Sequence, residues 1–244
     1  MTNQRITVFA AASLAAIFIP VAAVAEPFPV DLSQVEFAPA RYQLIHHGEK
    51  AGEMYFAMER KEDVIVIHDG TTLLPDVRES GTVVVDAETL LPKRIVIDGD
   101  FSRTILDIDL TFDGRKGTGV RKYKRPTDIE KAERPFEIEL PEDAIARTSL
   151  FGFVSGLPWR DGATFKLQWF EELGGVVADA ELVVAGRETI EVPSGMFETF
   201  KVNLNAEPAN VIYLTTAKPH RIVRIDVPAQ EMRFERLAEQ PSAE

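Results

Sequence analysis

The clearest structural signal in the chain is the stretch Leu106-Asp107-Ile108-Asp109-Leu110-Thr111-Phe112-Asp113-Gly114. Apolar and polar side chains alternate along it, so one face of the strand is apolar and the other is polar. This pattern is typical of an antiparallel sheet that is covered on one side only. Asp113-Gly114 is a strong hairpin signal and predicts the end of the strand.

The same period of two recurs on both sides of this strand, with turn signals at short intervals. Met54, Phe56 and Met58 share one strand face. Asp98-Gly99 predicts a hairpin, and Pro193-Ser194-Gly195 predicts a tight turn between two strands. Further apolar or alternating runs predict strands at 64–67, 83–85, 94–97, 165–169, 176–185, 187–192, 196–204, 211–214, 221–227 and 232–237.

One segment departs from this rhythm. Residues 142–155 begin with two acidic residues, carry apolar side chains at helical spacing and are followed by Gly156 and Pro158. Acidic side chains stabilise the N-terminus of a helix, where the helix dipole is positive. We therefore predict a mainly β protein, a strongly curved antiparallel sheet (a half-barrel or open barrel) with one embedded helix near 142–155.

The domain organisation is simple, since no segment rich in glycine, serine or proline divides the chain. Residues 40–238 are predicted to form a single β-rich domain. Residues 26–39 contain three prolines and little periodicity, which predicts an extended lead-in. We expect the polar tail 239–244 to be disordered.

The N-terminal segment predicts export. Arg5 precedes an apolar run from Ile6 to Ile19, which is shorter than the ~20 residues that cross a bilayer as a helix. Ala23-Val24-Ala25 has the small-x-small pattern of a signal peptidase site, so we predict a signal peptide over residues 1–25, cleaved after Ala25. The chain contains no cysteine, which fits a soluble protein of the bacterial periplasm with no membrane anchor.

Charge and motif content narrow the function classes. The chain has 27 Lys and Arg residues against 39 Asp and Glu residues, a formal net charge of −12, which disfavours nucleic acid and anionic lipid surfaces as partners. The four histidines lack metal-binding spacing, and no nucleophile elbow or phosphate-binding loop occurs. We predict no catalytic residue, metal or cofactor, and expect a protein that is not an enzyme.

Three segments resemble the DUF3108 family of bacterial exported proteins. Residues 186–202 (GRETIEVPSGMFETFKV) are similar to that family's G-x-E-x-(V/I)-x-V-P-(A/S)-G-x-F-x-(A/T)-x-(K/R)-V pattern. Leu157-Pro158-Trp159-Arg160-Asp161-Gly162 resembles its Leu-Pro-Leu-x-x-Gly turn, and 213–224 resembles its aromatic strand, loop and basic strand. The resemblance implies a relation to periplasmic lipoprotein carriers, whose curved half-barrel has helices that plug an apolar concavity.

Apolar side chains are therefore the candidate site, and we expect them to line a concavity for an acyl chain, a lipid or another hydrophobic molecule. The candidate lining residues are Met54, Phe56, Met58, Phe151, Val154, Leu157, Phe165, Leu167, Trp169 and Tyr213. Arg221 and Arg224, near Tyr213, are candidates for pairing with a ligand headgroup. Three alternatives stay open: ordinary core packing, an envelope module with a filled core that meets a protein partner, and a hydrolase that uses carboxylates.

Overall fold

A computed structural model of the chain describes residues 29–239. Within residues 29–239 it has one sheet of 15 strands and a single short helix. The strands are β1 (Ala40–His46), β2 (Glu49–Lys61), β3 (Val64–Leu73), β4 (Val77–Asp86), β5 (Pro92–Phe101), β6 (Thr104–Asp113), β7 (Lys116–Lys124), β8 (Ala132–Glu139), β9 (Ala144–Ala146), β10 (Thr164–Glu171), β11 (Val176–Val192), β12 (Gly195–Asn205), β13 (Asn210–Thr215), β14 (Ile222–Val227) and β15 (Met232–Arg236). The helix is α1 (Arg147–Phe153), and short 3₁₀ turns lie at Leu32–Gln34, Val154–Gly156 and Pro228–Gln230.

The strand order is β8-β7-β6-β5-β4-β3-β2-β1-β15-β14-β13-β12-β11-β10-β9. The first and last strands, β1 and β15, pair near the middle of the sheet, while β8 and β9 form its edges and do not pair with each other. The predicted mainly β fold with an open, curved sheet is therefore confirmed. Every pairing is antiparallel except that of β9 with β10, which is parallel.

The sheet curls until its two ends approach each other. The Arg121 guanidinium on β7 donates to the carbonyl of Gly174, in the turn after β10, over 2.9 Å. The rings of Phe112 and Phe170, from the two ends of the sheet, meet edge to face with centroids 6.3 Å apart. Side chains rather than backbone hydrogen bonds thus bridge the gap in this open barrel.

The alternation in β6 works as the sequence predicts. Ile108, Leu110 and Phe112 are buried, whereas Asp109 and Thr111 are exposed. Asp113-Gly114 forms the expected turn, and Gly114 has the positive φ of 57° that favours glycine there.

The predicted hairpin at Asp98-Gly99 is wrong. These residues lie inside β5, which pairs on both sides as far as Phe101, and the turn falls at Ser102-Arg103 instead. Gly99 serves packing rather than a turn, because the ring of Phe101 occupies the space that a Cβ at this position would need. The residues that follow Gly99 continue the ladder, and the ladder overrides the local turn signal.

The predicted helix begins five residues too early. Residues 144–146 form the buried strand β9, and α1 starts only at Arg147. The acidic residues Glu142 and Asp143 lie in a turn, and the helix N-terminus is held instead by Glu172, whose carboxylate accepts from the backbone N–H of Thr148 over 3.1 Å. The negative charge at the helix N-terminus therefore comes from Glu172, which is distant in the sequence, and not from the adjacent Glu142 and Asp143.

The lead-in packs onto the domain. Residues 32–34 form a 3₁₀ turn, and residues 26–28 of the predicted lead-in lie outside the described residues. The backbone N–H of Asp31 donates to the carbonyl of Gly156 over 2.8 Å, and Val35 is buried. These contacts hold the lead-in against the 3₁₀ turn that follows α1.

The segment that resembles the DUF3108 pattern is a long hairpin of β11 and β12 that folds over the outer face of the sheet. The two strands change register at Gly186, where φ is +151°. The tip, at the predicted Pro193-Ser194-Gly195 turn, is anchored by the Ser194 N–H, which donates to the Arg236 carbonyl over 3.1 Å. Beneath the hairpin, Ile190 and Val192 pack against Tyr213 and Val223 in a small second core.

No helix in residues 29–239 is long and apolar enough to cross a membrane. The predicted signal peptide, 1–25, lies outside the described residues, as does 240–244 of the predicted tail.

Candidate functional site

A cavity of about 540 Å³ lies between the inner face of the sheet and α1. Strands β1 to β5, β14 and β15 form its wall, and Phe151 and Trp169 approach from the helix and β10. Its volume falls within the ~300–1,000 Å³ typical of small-molecule sites, and most of its wall is apolar.

Four of the predicted lining residues meet at this cavity: Met54, Phe56, Phe151 and Trp169. The rings of Phe151 and Trp169 meet edge to face with centroids 6.5 Å apart. Met54 and Phe56 contribute from β2, where they point to the same side because side chains alternate along a strand. The sequence therefore identified one strand face and one helix face of the cavity wall.

Five other predicted residues belong to the packed core instead of the cavity wall. Met58, Val154, Leu157 and Leu167 are buried, and none of them lines the cavity. Phe165 is half-buried and packs edge to face on Trp159, with ring centroids 5.2 Å apart. For these residues core packing is the correct interpretation.

The predicted headgroup cluster lies on the wrong face. Tyr213 belongs to the second core on the outer side of the sheet, and the Arg224 guanidinium stacks 4.8 Å from its ring and pairs with Asp226 at 2.6 Å. Arg221 is half-exposed and reaches the cavity only through Glu36, at 3.3 Å. Tyr213 and Arg224 are therefore corrected to structural residues: their strand neighbours Leu214 and Ile225 belong to the main core, and alternation along each strand turns Tyr213 and Arg224 to the other side.

A buried ionic cluster, which we call the Arg147 cluster, forms part of the cavity wall. It consists of Arg147 at the start of α1 with Glu79, Glu172 and Asp69. Arg147 Nη2 lies 2.6 Å from Glu79 Oε1, and its Nε lies 3.3 Å from Glu172 Oε2. Burial raises the pKa of Glu172 to about 7, against the opposing effect of Arg147.

Asp69 is the member of this cluster that lines the cavity without forming an ion pair in the described part of the chain. It lies directly opposite Phe56 on β2 and Gly81 on β4 in the strand register. Its Oδ1 is buried without a hydrogen bond and fills the space where a Cβ at Gly81 would lie. Burial raises the pKa of Asp69 to about 6, and the negative charge of Glu79 adds to this effect while Arg147 opposes it.

A second polar group lies toward the lead-in. Arg236 holds Glu36 through two hydrogen bonds of 2.7 and 2.9 Å, and the Tyr42 hydroxyl donates to the Ile222 carbonyl over 3.1 Å. Burial raises the pKa of Tyr42 to about 12 although Arg236 opposes this shift. These polar side chains are satisfied within the protein.

Two further polar atoms of the cavity wall have no partner among the described residues. His220 Nδ1 lies 2.8 Å from the Thr215 carbonyl, which can only accept, so Nδ1 carries a proton, and the buried Nε2 has no partner. Trp169 is almost fully buried, and its Nε1–H is an unpartnered donor. Buried polar groups without partners are rare and point to a ligand or to ordered water.

Sequence analysis missed the Arg147 cluster, although part of the signal was present. Asp69 follows Ile65 and Ile67 at intervals of two, so it continues the inward face of β3. A charged residue that falls on the same face of a strand as buried apolar residues predicts a polar group inside the fold. The roles of Arg147 and Glu172 depend on where the helix begins, which the sequence did not show.

Among the residues that the structure describes, no group of three or more His, Cys, Asp or Glu side chains could hold a metal ion.

Together these features define a class of protein: an open β half-barrel with an internal, largely apolar cavity and one inward-facing ionic cluster. The chain belongs to the family described as "Protein of unknown function (DUF3108)", whose model matches residues 40–232. The resemblance of residues 186–202 to that family is thus confirmed. Neither a curated protein nor a solved structure matches the chain.

Proposed function

We propose that this protein binds an amphipathic molecule of the bacterial envelope in its half-barrel cavity, as a non-catalytic periplasmic binding or carrier protein. The observation that carries the proposal is the cavity itself, about 540 Å³ with a largely apolar wall. An acyl chain or lipid tail would occupy the apolar part, and the polar part of the ligand would reach the Arg147 cluster.

The driving force would be the burial of the apolar chain. Each CH₂ group taken from water contributes roughly 0.8 kcal/mol, so a chain of about ten such groups gains roughly 8 kcal/mol before the cost of ordering it. The flexible thioether side chain of Met54 adapts to chains of different shape, and the rings of Phe56 and Trp169 add apolar area. This combination suits a carrier that accepts related molecules.

Export and charge support the same proposal. The predicted signal peptide would place the protein in the periplasm, where amphipathic molecules must cross water between two membranes. A net charge of −12 would help the loaded protein to leave an anionic membrane surface.

The structure gives less support to the two alternative functions, a protein-interaction module with a filled core and a hydrolase. An interaction module with a filled core would leave no cavity of this size. A hydrolase with two carboxylates needs an accessible pair, but Arg147 holds Glu79 and Glu172, which leaves Asp69 as the free carboxylate of that group.

The experiment is to express the full chain in a bacterium, purify the resulting protein without detergent and extract it for lipid mass spectrometry. We expect one class of amphipathic molecule to be recovered intact and in stoichiometric amount. The purified, delipidated protein should then bind the neutral dye Nile red saturably. A chemically altered ligand would favour the hydrolase, and neither extracted ligand nor saturable dye binding would refute the proposal.

A pair of variants separates the cavity from the surface. Met54→Trp fills the cavity from β2 and should weaken Nile red binding about tenfold or more, since the apolar space is lost. Tyr55→Trp is the matched control, because Tyr55 is 44% exposed on the other face of the same strand. Equal binding by the two variants would place the dye outside the cavity.

A further inference from the structure

The acidic side chains of the cavity wall differ in whether the protein itself satisfies them. Glu36 is held by Arg236, Glu79 by Arg147, and Glu171 accepts from backbone N–H groups of the turn that follows it. Asp69 differs from them: it forms no ion pair in the described part of the chain, and its Oδ1 is buried without a hydrogen-bond partner. The Arg147 cluster contains three carboxylates against one guanidinium, so its ionised form is short of positive charge.

Aromatic rings line the same cavity as this unbalanced carboxylate. Phe56 is the direct cross-strand neighbour of Asp69, and both side chains point into the cavity. Phe151 and Trp169 line the same cavity from α1 and β10. The face of an aromatic ring carries partial negative charge and attracts an ammonium group, most strongly where water is excluded.

We propose that the cavity selects amphiphiles with a cationic, ammonium-type headgroup, which lies between the Asp69 carboxylate and the rings of Phe56 and Trp169. This inference rests on the proposed function and names its ligand class. The ammonium charge would supply the cation that Asp69 lacks, while the hydrocarbon tail fills the apolar part of the cavity.

The remaining unpartnered atoms agree with this choice. His220 Nε2 and Trp169 Nε1–H both lack a partner, and a hydroxyl group on the ligand could pair with either of them, because a hydroxyl both donates and accepts. The acidic side chains of the cavity wall disfavour an anionic headgroup. Arg236 and Arg221 pair with Glu36, which leaves Asp69, Glu79 and Glu171 on the cavity wall against the single lining arginine, Arg147, so a carboxylate headgroup would be repelled.

The test compares three ligands that share a dodecyl tail and differ in the headgroup. Dodecyltrimethylammonium, dodecanol and dodecanoate are each titrated, below the concentration at which they form micelles, against the purified protein loaded with Nile red. We expect the ammonium ligand to displace the dye at a concentration at least about tenfold lower than dodecanoate, with dodecanol between them. Equal potency, or a preference for dodecanoate, would overturn the inference.

Variants assign the preference to the site. Asp69→Asn keeps the shape of the side chain and removes its charge, so the preference for the ammonium ligand should fall about tenfold while dodecanol binding stays the same. Asp109→Asn makes the same charge change on the exposed outer face of β6 and should leave the preference unchanged. Phe56→Leu should reduce the ammonium preference by several-fold and spare dodecanol. An unchanged preference in Asp69→Asn would refute the assignment.

The two proposals fail in different ways. If no dodecyl ligand displaces the dye and the dye itself does not bind saturably, the proposed function fails. If dodecanol displaces the dye in a saturable manner but the headgroup has no effect, the carrier function stands and the headgroup inference alone is wrong.

Discussion

Replacing Asp69 by asparagine should stabilise the protein at neutral and alkaline pH. The buried, unpartnered carboxyl has its pKa raised from 3.8 to about 6 in the folded state. The folded state therefore holds the proton more tightly than the unfolded state does. The contribution of Asp69 to stability is fully present below about pH 4 and is lost as the pH rises through about 6.

The magnitude follows from this shift. A change of about two pKa units corresponds to roughly 3 kcal/mol between the fully protonated and fully ionised limits. Between about pH 4.5 and about pH 8 the linkage relation leaves roughly 2 kcal/mol of that difference. Asp69 faces an open cavity, where water screens its charge. We therefore expect the stability gain of Asp69→Asn to be larger at about pH 8 than at about pH 4.5 by about 1–2 kcal/mol.

The assay is urea unfolding of wild type and Asp69→Asn at the two pH values. The stability gain of the variant should be larger at about pH 8 than at about pH 4.5 by this amount. Comparing the two gains removes any constant effect of the amide, because asparagine does not titrate. Asp109→Asn, which loses only a surface pair with Arg94, should change stability by less than ~1 kcal/mol at both pH values. A variant gain that is equal at both pH values, or larger in acid, would refute the burial argument.

Two further predictions concern the same cluster. Arg147→Met should destabilise the protein by about 3–5 kcal/mol in urea unfolding at pH 7, because it leaves Glu79 and Glu172 buried without their cation. A loss of stability below ~1 kcal/mol would show that the pair is not buried. Dodecyltrimethylammonium should bind more weakly as the pH falls through about 6, where Asp69 takes up a proton in the presence of Arg147, Glu79 and Glu172. The binding of dodecanol, titrated in parallel, should not weaken over this pH range. Equal pH profiles for the two ligands would contradict the prediction.

The fold class could be predicted because each strand carries its own signal. In β6 the buried and exposed faces alternate as the side chains do, and Asp113-Gly114 ends the strand locally. The helix boundary could not be predicted in the same way. Residues 144–146 are three consecutive buried residues, a pattern that fits a helix or a buried strand equally, and only their contact with β10 selects the strand.

The cavity was harder to predict than the sheet, because lining and core use the same residue types. Met54 lines the cavity and Met58 is packed beneath α1, although both lie on one face of β2. What separates them is the position of the helix along the strand, which depends on Gly152. A Cβ at Gly152 would collide with Met58, so the helix approaches the sheet closely there and leaves space further along.

The polar side chains inside the barrel, unlike the apolar packing, bear on the charge of the proposed ligand. An ionised Asp69 lowers the stability of the folded protein at neutral pH and gains no ion pair within the described structure. Thr71, the next inward residue on the same strand, shows that a neutral polar side chain is accommodated at the same wall. Carboxylates that are held at a cost in stability are typical of binding sites, where a ligand offsets the cost. A cationic ligand would do so here, and the Asp69→Asn variant should therefore be more stable at neutral pH and bind that ligand more weakly.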